Sequence, residues 1–225
     1  MDEQQLIELL SKSFPFWDSL SDADKKSFIS SSCAVSFEKG ATIHDGNECT
    51  GIILVKSGSL RLYILSDEGK EITLYRLYPG DMCILSASCV FNSITFDVLV
   101  DSEENSECII VGSCIFEDVS RRKPEVKIFG LEAALGRFSD VMWVMQQILF
   151  MSMDKRLAIF LLDEAAKTSS DIIKLTHEQI AKYMGSAREV VSRMLKYFST
   201  EGIIESSRTA GIRIVDKKRL RELAL

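Results

Sequence analysis

The sequence contains no apolar run near the roughly 20 residues that a helix needs to span a bilayer. Its first residues, MDEQQLIELL, are acidic and carry neither the basic start nor the cleavage site of a secretory signal peptide. We therefore expect a cytoplasmic protein with no membrane partner, whose six cysteines are reduced by default.

Signatures of catalysis and of metal binding are also missing. No nucleophile–base pair, phosphate-binding Walker loop or metal-ligand spacing is present, the pattern CxxC does not occur, and there are only two histidines. The sequence therefore predicts a protein that is not an enzyme and holds no metal.

Residues 185–195, GSAREVVSRML, predict an amphipathic helix with a polar face and an apolar face. The polar face carries Arg188, Glu189, Ser192 and Arg193, and the apolar face carries Val191, Leu195 and Phe198. Arginine can pair bidentately with guanine and glutamate can accept from cytosine, so the polar face can read base edges in a major groove. A solvated helix with incidental charge is the alternative, and the flanking sequence decides against it.

The flanking segments predict a winged helix-turn-helix. Thr176 is a candidate N-cap that forms a capping box with Gln179, and Gly185 permits the left-handed turn between two helices. Residues 203–206 and 211–215 alternate like two strands of a hairpin, and residues 216–223 predict a last helix. Candidate contacts to the DNA backbone are Thr176, His177, Ser186 and Arg208.

These motifs make the C-terminal segment similar to the winged helix-turn-helix of the CRP/FNR family of bacterial transcription regulators. In that family a glutamate and an arginine four residues apart read a TGA-type core, and Glu189 and Arg193 match them. Arg188 matches the CRP-like branch, whereas Ser192 matches the FNR-like branch, so the half-site belongs clearly to neither. The resemblance implies a homodimer on palindromic double-stranded DNA, with RNA polymerase as a further partner if the protein is an activator, which the family favours.

The distribution of charge agrees with this interpretation. The whole chain has a net charge of −6, but residues 153–225 contain 14 Lys and Arg against 10 Asp and Glu. Residues 1–152 contain 13 and 23. The basic excess therefore lies where phosphate attraction needs it. A ligand-binding or interaction module that no longer reads DNA remains the alternative.

Between about Val35 and Phe116, short apolar runs are separated by turn signals such as 56–58 and 79–81, which predicts a jelly-roll-like barrel. The segment 40–81 resembles the cyclic-nucleotide-binding β-roll of the same family. We therefore predict an α+β fold: a double-stranded β-helix or jelly roll, a long dimerisation helix and a winged helix-turn-helix. The predicted domains are residues 1–120, 121–152 and 153–225.

The helical stretch from about Pro124 to Met151 carries apolar residues spaced alternately four and three apart, as in a coiled-coil seam. The predicted dimer seam consists of Leu131, Leu135, Phe138, Met142, Met145 and Leu149. An ordinary amphipathic helix packed within a monomer is the alternative.

The sequence argues against cyclic AMP as the effector. Relatives that bind it neutralise its phosphate with an arginine in the roll, whereas residues 77–120 contain no arginine or lysine. Asp81 is a shortened stand-in for the family's glutamate, and Val141 and Met142 occupy positions where the family places hydroxyls. The cofactor is therefore unknown, and an unidentified small molecule is the expected effector.

Cysteine chemistry is the second possibility for sensing. The candidate effector pocket or thiol switch consists of Asp81, Cys83, Ser86, Ser88, Cys89, Val141 and Met142, with Cys83 and Cys89 as the best pair. Buried packing thiols are the alternative. No N-terminal cysteine cluster supports an iron–sulfur centre, and haem would have to use His44, which is better explained as a packing residue.

Overall fold

The computed structural model describes residues 2–46, 49–86, 98–207 and 211–225. The chain forms two compact units, the first comprising Met1–Leu65 with Leu74–Val141 and the second comprising Ser66–Thr73 with Met142–Leu225. These units divide the long helix internally, whereas the sequence-based division set that helix apart as residues 121–152. Among the helices of the described residues, none is both long and apolar enough to cross a membrane.

The first unit begins with two helices, α1 (Glu3–Ser13) and α2 (Asp22–Ser30), separated by a 3-10 turn at Trp17–Ser19. Asp2 caps α1 through a capping box, and the Ser21 hydroxyl accepts from the Asp24 amide at the start of α2. Between the two helices, buried aromatic rings such as Phe14 and Phe28 pack at a centroid distance of 5.8 Å. Caps and aromatic packing together define this helical entry.

Two four-stranded antiparallel sheets form the β-roll. The strands are β1 (Ser32–Phe37), β2 (Thr42–His44), β3 (Ile52–Ser57), β4 (Leu60–Leu65), β5 (Glu71–Leu77), β6 (Met82–Cys83), β7 (Leu99–Ser102) and β8 (Ser106–Val111). One sheet has the order β1-β8-β3-β6 and the other has the order β2-β7-β4-β5. Apart from the consecutive strands β4 and β5, neighbours in each sheet are far apart in sequence, as expected for the predicted jelly-roll architecture.

The core of the roll explains why several strands are apolar on both faces. In β3, Ile52, Ile53, Leu54 and Val55 are all buried. One hydrophobic cluster contains these side chains together with Phe116 and Val119 of α3 (Ser113–Arg122). Because helices cover what would otherwise be a solvent face, the strand has lost the polar alternation of a half-exposed sheet.

The long helix α4 runs from Pro124 to Phe150, close to the predicted stretch. Near its start, Val126 is buried in the cluster of the first unit. Further along, all six predicted seam residues are exposed, with Leu135 and Leu149 exposed by 66% and 64%. A stripe of large apolar side chains on one face of a helix is therefore open to a partner.

The second unit contains the predicted winged helix-turn-helix. Its elements are α5 (Met153–Thr168), β9 (Ile172–Ile173), α6 (His177–Met184), α7 (Arg188–Thr200), β10 (Ile204–Ser207), β11 (Gly211–Ile214) and α8 (Lys217–Ala224). The three strands pair in the order β10-β11-β9. The fold class is the predicted one.

Local signals position the two helices of the helix-turn-helix. Thr176 accepts from the Gln179 amide while the Gln179 side chain accepts from the Thr176 amide, which is the predicted capping box. Gly185 ends α6 in the left-handed conformation at φ +57°, a region that costs a side chain more than it costs glycine. The predicted turn is therefore confirmed.

Candidate nucleic-acid interface and effector site

The two faces of α7 differ as the sequence predicts. Val191, Leu195 and Phe198 are buried in the core of the second unit. Arg188, Glu189 and Arg193 are exposed, and no hydrogen bond or ion pair joins their side chains to another described residue. Three hydrogen-bonding groups are thus presented on a rigid helix with nothing in the described chain to satisfy them.

Ser192 differs from its three neighbours because it is half-buried and lies 2.9 Å from Nδ1 of His177. The hydroxyl and the ring nitrogen can each donate, so this contact joins the first turn of α6 to the middle of α7. The structure therefore brings together a residue predicted to read bases and a residue predicted to contact the DNA backbone. Their contact connects the two helices directly.

The other predicted backbone contacts differ in how available they are. Thr176 is exposed, although its hydroxyl oxygen already caps α6 at 3.1 Å. Ser186 is half-buried and directs its hydroxyl at the sulfur of Met153, 3.8 Å away. Arg208 lies outside the described residues. Of this group, Thr176 is the residue placed best for a phosphate.

The start of α7 adds backbone donors that the sequence-based prediction did not name. Ala187 is the N-cap and has no side chain that could accept from the first-turn amides. The first amides of a helix have no partner within the helix, and they favour an anion such as phosphate. Arg188 follows directly at the first helical position. This end of α7 therefore suits a DNA backbone.

Two arginines that the sequence analysis missed bond to the ends of the two helices of the helix-turn-helix. Arg156 of α5 donates to the carbonyl of Met184 at the end of α6. Arg219 of α8 donates to the Glu201 carbonyl at 3.0 Å and lies 2.5 Å from the Glu201 carboxylate. Both pairs join positions that are distant in sequence, so no local pattern indicates them.

The wing is the hairpin of β10 and β11, and its described residues offer little charge that is not already paired. Arg213 on β11 lies 3.7 Å from Glu205 on β10, and both side chains are largely exposed. An exposed ion pair of this kind is weak, so Arg213 can exchange the carboxylate for a phosphate at small cost.

The predicted effector residues are not gathered around one opening. Asp81 accepts from the Tyr78 amide at 2.9 Å and so caps its own turn. Ser86 is buried and donates to the carbonyls of Gly51 and Cys83, at 2.7 and 3.1 Å. Both polar groups are satisfied by nearby backbone. The structure thus gives them roles within the fold of the roll.

The remaining predicted effector residues lie in different parts of the structure. Cys83 is completely buried, Val141 packs against the core of the first unit, and Met142 is an exposed residue of the second unit. Ser88 and Cys89 lie outside the described residues. Burial raises the pKa of the Cys83 thiol, which makes it a poor nucleophile and argues against the thiol-switch part of its prediction.

The cysteines are not all reduced, contrary to the default expectation. Cys33, Cys83, Cys108 and Cys114 are free, and burial raises the pKa of Cys108 to about 11. Cys49 is disulfide-bonded. Cys49 was not among the residues that the sequence analysis proposed for a thiol switch.

His44 is buried, and its Nδ1 lies 2.8 Å from the hydroxyl of Thr50. Hydrogen bonding of this ring to a neighbouring side chain is the behaviour of a packing residue, as the sequence analysis favoured.

A cavity of about 320 Å³ lies in the first unit between the roll and α4. Its described lining consists of Met82, Ile84, Phe129, Ala133, Gly136, Arg137 and Asp140. Arg137 supplies a cation that the search for a positive charge within residues 77–120 could not find. Arg137 lies in the helical stretch where the sequence analysis placed the seam and the candidate effector residues Val141 and Met142, but it was not itself predicted as an effector residue.

Comparison with known proteins agrees with this architecture. The model of the Crp-like helix-turn-helix domain matches residues 155–223, and the model of the cyclic nucleotide-binding domain matches residues 34–122. A curated relative, the transcriptional activator protein FnrA of Stutzerimonas stutzeri, is 24% identical over 83% of this chain and 78% of its own length. The cAMP-activated global transcriptional regulator CRP of Haemophilus influenzae is 24% identical over 75% and 77%.

A crystal structure of a transcriptional regulator from Eubacterium rectale, assigned to the CRP/FNR family, is 46% identical. It covers 94% of this chain and 98% of its own, with a TM-score of 0.88. The chain, a DNA-binding transcription regulator, belongs to the CRP/FNR family.

Proposed function

We propose that the protein is a homodimer that acts in the cytoplasm, reads a palindromic operator with TGA-like half-sites through α7, and responds to an effector other than cyclic AMP. The observation that carries this proposal is the exposed, unengaged group of Arg188, Glu189 and Arg193. These side chains project from a helix whose opposite face is anchored in the core of its unit. Such a helix can enter a major groove without losing contacts that hold the fold together.

Each side chain has a specific task in this proposal. The guanidinium forks of Arg188 and Arg193 suit the O6 and N7 acceptors of guanine, and the Glu189 carboxylate suits the amino group of cytosine. Ser192 assists while it remains bonded to His177. The first-turn amides of α7 and the exposed Thr176 hold phosphates and so fix the register of the helix on the duplex.

The dimer is supported by the exposed apolar stripe of α4. Its six seam residues are each exposed by at least 43%, an arrangement that is costly for a helix left in water. Pairing two copies of α4 in parallel would cover the stripe and relate two α7 helices by a two-fold axis. Half-sites about 34 Å apart would then be read together.

The effector is proposed to act through α4, because that helix carries both the seam and one wall of the cavity. A ligand shifts the equilibrium only if it binds the DNA-competent state with a different affinity from the incompetent state. The relative FnrA is named a transcriptional activator. We extend activation to this chain, with RNA polymerase as the further partner.

Selection of binding sites from random duplex DNA tests the proposal. Purified full-length protein should enrich a palindrome, and Arg193→Ala should lose preference at one base pair of each half-site. Lys12→Ala removes an exposed positive charge from α1 and is the matched control, so it should select the same sequence as the wild type. A wild-type protein that binds DNA without enriching any palindrome would contradict the proposed reading face.

A second candidate, control by cysteine oxidation, is favoured by one observation, the disulfide at Cys49. The operator affinity of the wild type should then differ between the oxidised and the reduced protein. Cys49→Ser should bind the operator with the same affinity under oxidising and reducing conditions. Cys114→Ser, which removes an exposed free thiol, is the control and should keep the response. Mass spectrometry of the alkylated protein would identify the partner of Cys49. Equal affinity of oxidised and reduced wild type would exclude this mode of control.

A further inference from the structure

The cavity between the roll and α4 is built from small residues on the helix side. Ala133 and Gly136 occupy successive turns of α4, and a Cβ added at Gly136 would meet no atom within 4 Å. Glycine within a helix is unfavourable relative to alanine. The missing side chain leaves open space at this wall of the cavity, and Met82, Ile84 and Phe129 make the rest of the described lining largely apolar.

One arginine is held at this cavity by three contacts. The Nη2 of Arg137 donates to the Met82 carbonyl at 3.3 Å, and its Nη1 lies 3.1 Å from the Asp140 carboxylate. Its guanidinium lies over the ring of Tyr75, 4.8 Å from the ring centroid. The Arg137 side chain is 23% exposed and the Asp140 side chain is 47% exposed, so the carboxylate can turn toward water while the guanidinium stays in place.

Tyr75 lies next to the cavity, behind its described lining, with its ring under the Arg137 guanidinium. Its hydroxyl is buried and has no hydrogen-bond partner among the described residues. Burial raises the pKa of Tyr75, and the neighbouring Cys83 adds to the effect, so the phenol keeps its proton and remains a donor. The Arg137 guanidinium lies 4.8 Å from the centroid of the Tyr75 ring, so the phenol is adjacent to the charged part of the cavity lining. A buried donor without an acceptor is rare, and it can accommodate an acceptor supplied by a ligand.

We propose that this cavity binds a small carboxylate with an apolar body, whose carboxylate accepts hydrogen bonds from Arg137 and Tyr75 and whose body contacts Met82 and Phe129. A carboxylate suits the planar guanidinium fork, and it supplies the acceptor that Tyr75 lacks. A dianion is disfavoured because Asp140 lies beside the arginine. The ligand would contact the roll and α4 together, so this assignment deepens the proposed effector control and depends on it for its regulatory meaning.

Two kinds of ligand could supply the carboxylate, and they would interact differently with Asp140. A free monocarboxylic acid competes with Asp140 for Arg137, so Asp140→Asn should bind it more tightly. An α-amino acid with an apolar side chain would pair its ammonium group with Asp140, and Asp140→Asn should weaken it. The direction of this one change separates the two sources.

The test is calorimetric titration of the full-length protein with hexanoate, 3-phenylpropionate, leucine and phenylalanine, each at up to millimolar concentration. Hexanamide and 3-phenylpropionamide are the uncharged counterparts of the two acids. At least one carboxylate should bind while its amide does not. Arg137→Gln should lose about 10-fold or more in affinity, as expected for a charge-assisted hydrogen bond, and Tyr75→Phe should lose several-fold.

Paired variants of one residue test the location. Gly136→Leu should fill the cavity and abolish binding, whereas Gly136→Ala should retain it, and circular dichroism would check that both remain helical. Absence of binding by all four carboxylates, or unchanged affinity in Arg137→Gln, would overturn the assignment. DNA selection is measured separately from ligand binding. If no ligand binds but the operator preference is intact, the ligand site is rejected and the proposed DNA-reading function is retained.

Discussion

At the scale of single residues, the polar side chains of the helix-turn-helix form two groups. Some are hydrogen-bonded within the fold, and others are available to a ligand. Ser192 and His177 satisfy each other at 2.9 Å, and Ser186 is directed at Met153. Arg188, Glu189 and Arg193 have no such partner in the described chain. Since all of these residues lie on or near one helix face, their spacing in the sequence does not separate the two groups.

Base reading by Glu189 and Arg193 predicts a specific pattern of losses. Either alanine substitution should weaken operator binding by about 1–3 kcal/mol and relax preference at one base pair, because one hydrogen-bonded base contact is removed. Arg193→Lys keeps the charge and loses the fork, so it should retain non-specific affinity and lose selectivity. Fluorescence anisotropy on operator and scrambled duplexes measures both, and equal losses on the two duplexes would argue for a phosphate contact instead.

Asp24 predicts a dependence of stability on pH. Its carboxylate accepts from the Ser21 hydroxyl at 2.7 Å and from Arg122 at 3.0 Å, and the Ser21 hydrogen bond, followed by Arg122, lowers its pKa below the usual 3.8. Because the pKa of this carboxyl group is lower in the folded state than in the unfolded state, the group stabilises the folded state at pH values above its unfolded-state pKa. This stabilisation is lost as the pH falls through the folded-state pKa.

Asp24→Asn should therefore lower the free energy of unfolding of the first unit by roughly 1 kcal/mol at neutral pH. The difference from wild type should shrink as the pH falls below 3.8. Asp22→Asn changes an exposed carboxylate in the same turn and serves as the control. Urea unfolding at a series of pH values measures both variants, and a difference that persists unchanged in acid would refute the role of the charge.

At the scale of elements, the structure shows which features follow from neighbouring residues and which do not. The capping box of Thr176 and Gln179, the glycine turn at Gly185 and the buried stripe of α7 all depend on residues within one or two turns, and they were predicted. Arg137 over Tyr75 and Arg156 on Met184 join distant segments. Periodicity carries no information about such pairs, so the cavity and the arginine contact that supports the end of α6 were missed.

The cap at Thr176 gives a prediction that separates stability from DNA contact. Thr176→Ala removes the acceptor of the Gln179 amide and should cost about 1 kcal/mol in the stability of the second unit. Thr200→Ala, at the exposed end of α7, bonds only its own helix carbonyl and should be nearly neutral. If Thr176→Ser restores stability while Thr176→Ala binds DNA more weakly even where it is fully folded, the hydroxyl also contacts phosphate.

At the scale of the whole molecule, the proposed dimer depends on the exposed face of α4. Phe138→Glu places a charge in the middle of the apolar stripe, where burial against a second copy would be costly. We expect this variant to be monomeric by light scattering and sedimentation. Ser139→Glu, one position off the seam and also exposed, adds the same charge and should remain dimeric.

The consequence for DNA follows from the geometry of two half-sites. A monomeric Phe138→Glu protein keeps its α7 face, so it should retain weak binding to a single half-site. It should lose the large gain in affinity that a palindrome provides when both helix-turn-helix units of a dimer bind it together. Titration of a full palindrome and an isolated half-site would compare the two variants. A Phe138→Glu protein that stays dimeric and prefers the palindrome would show that two copies associate through another surface.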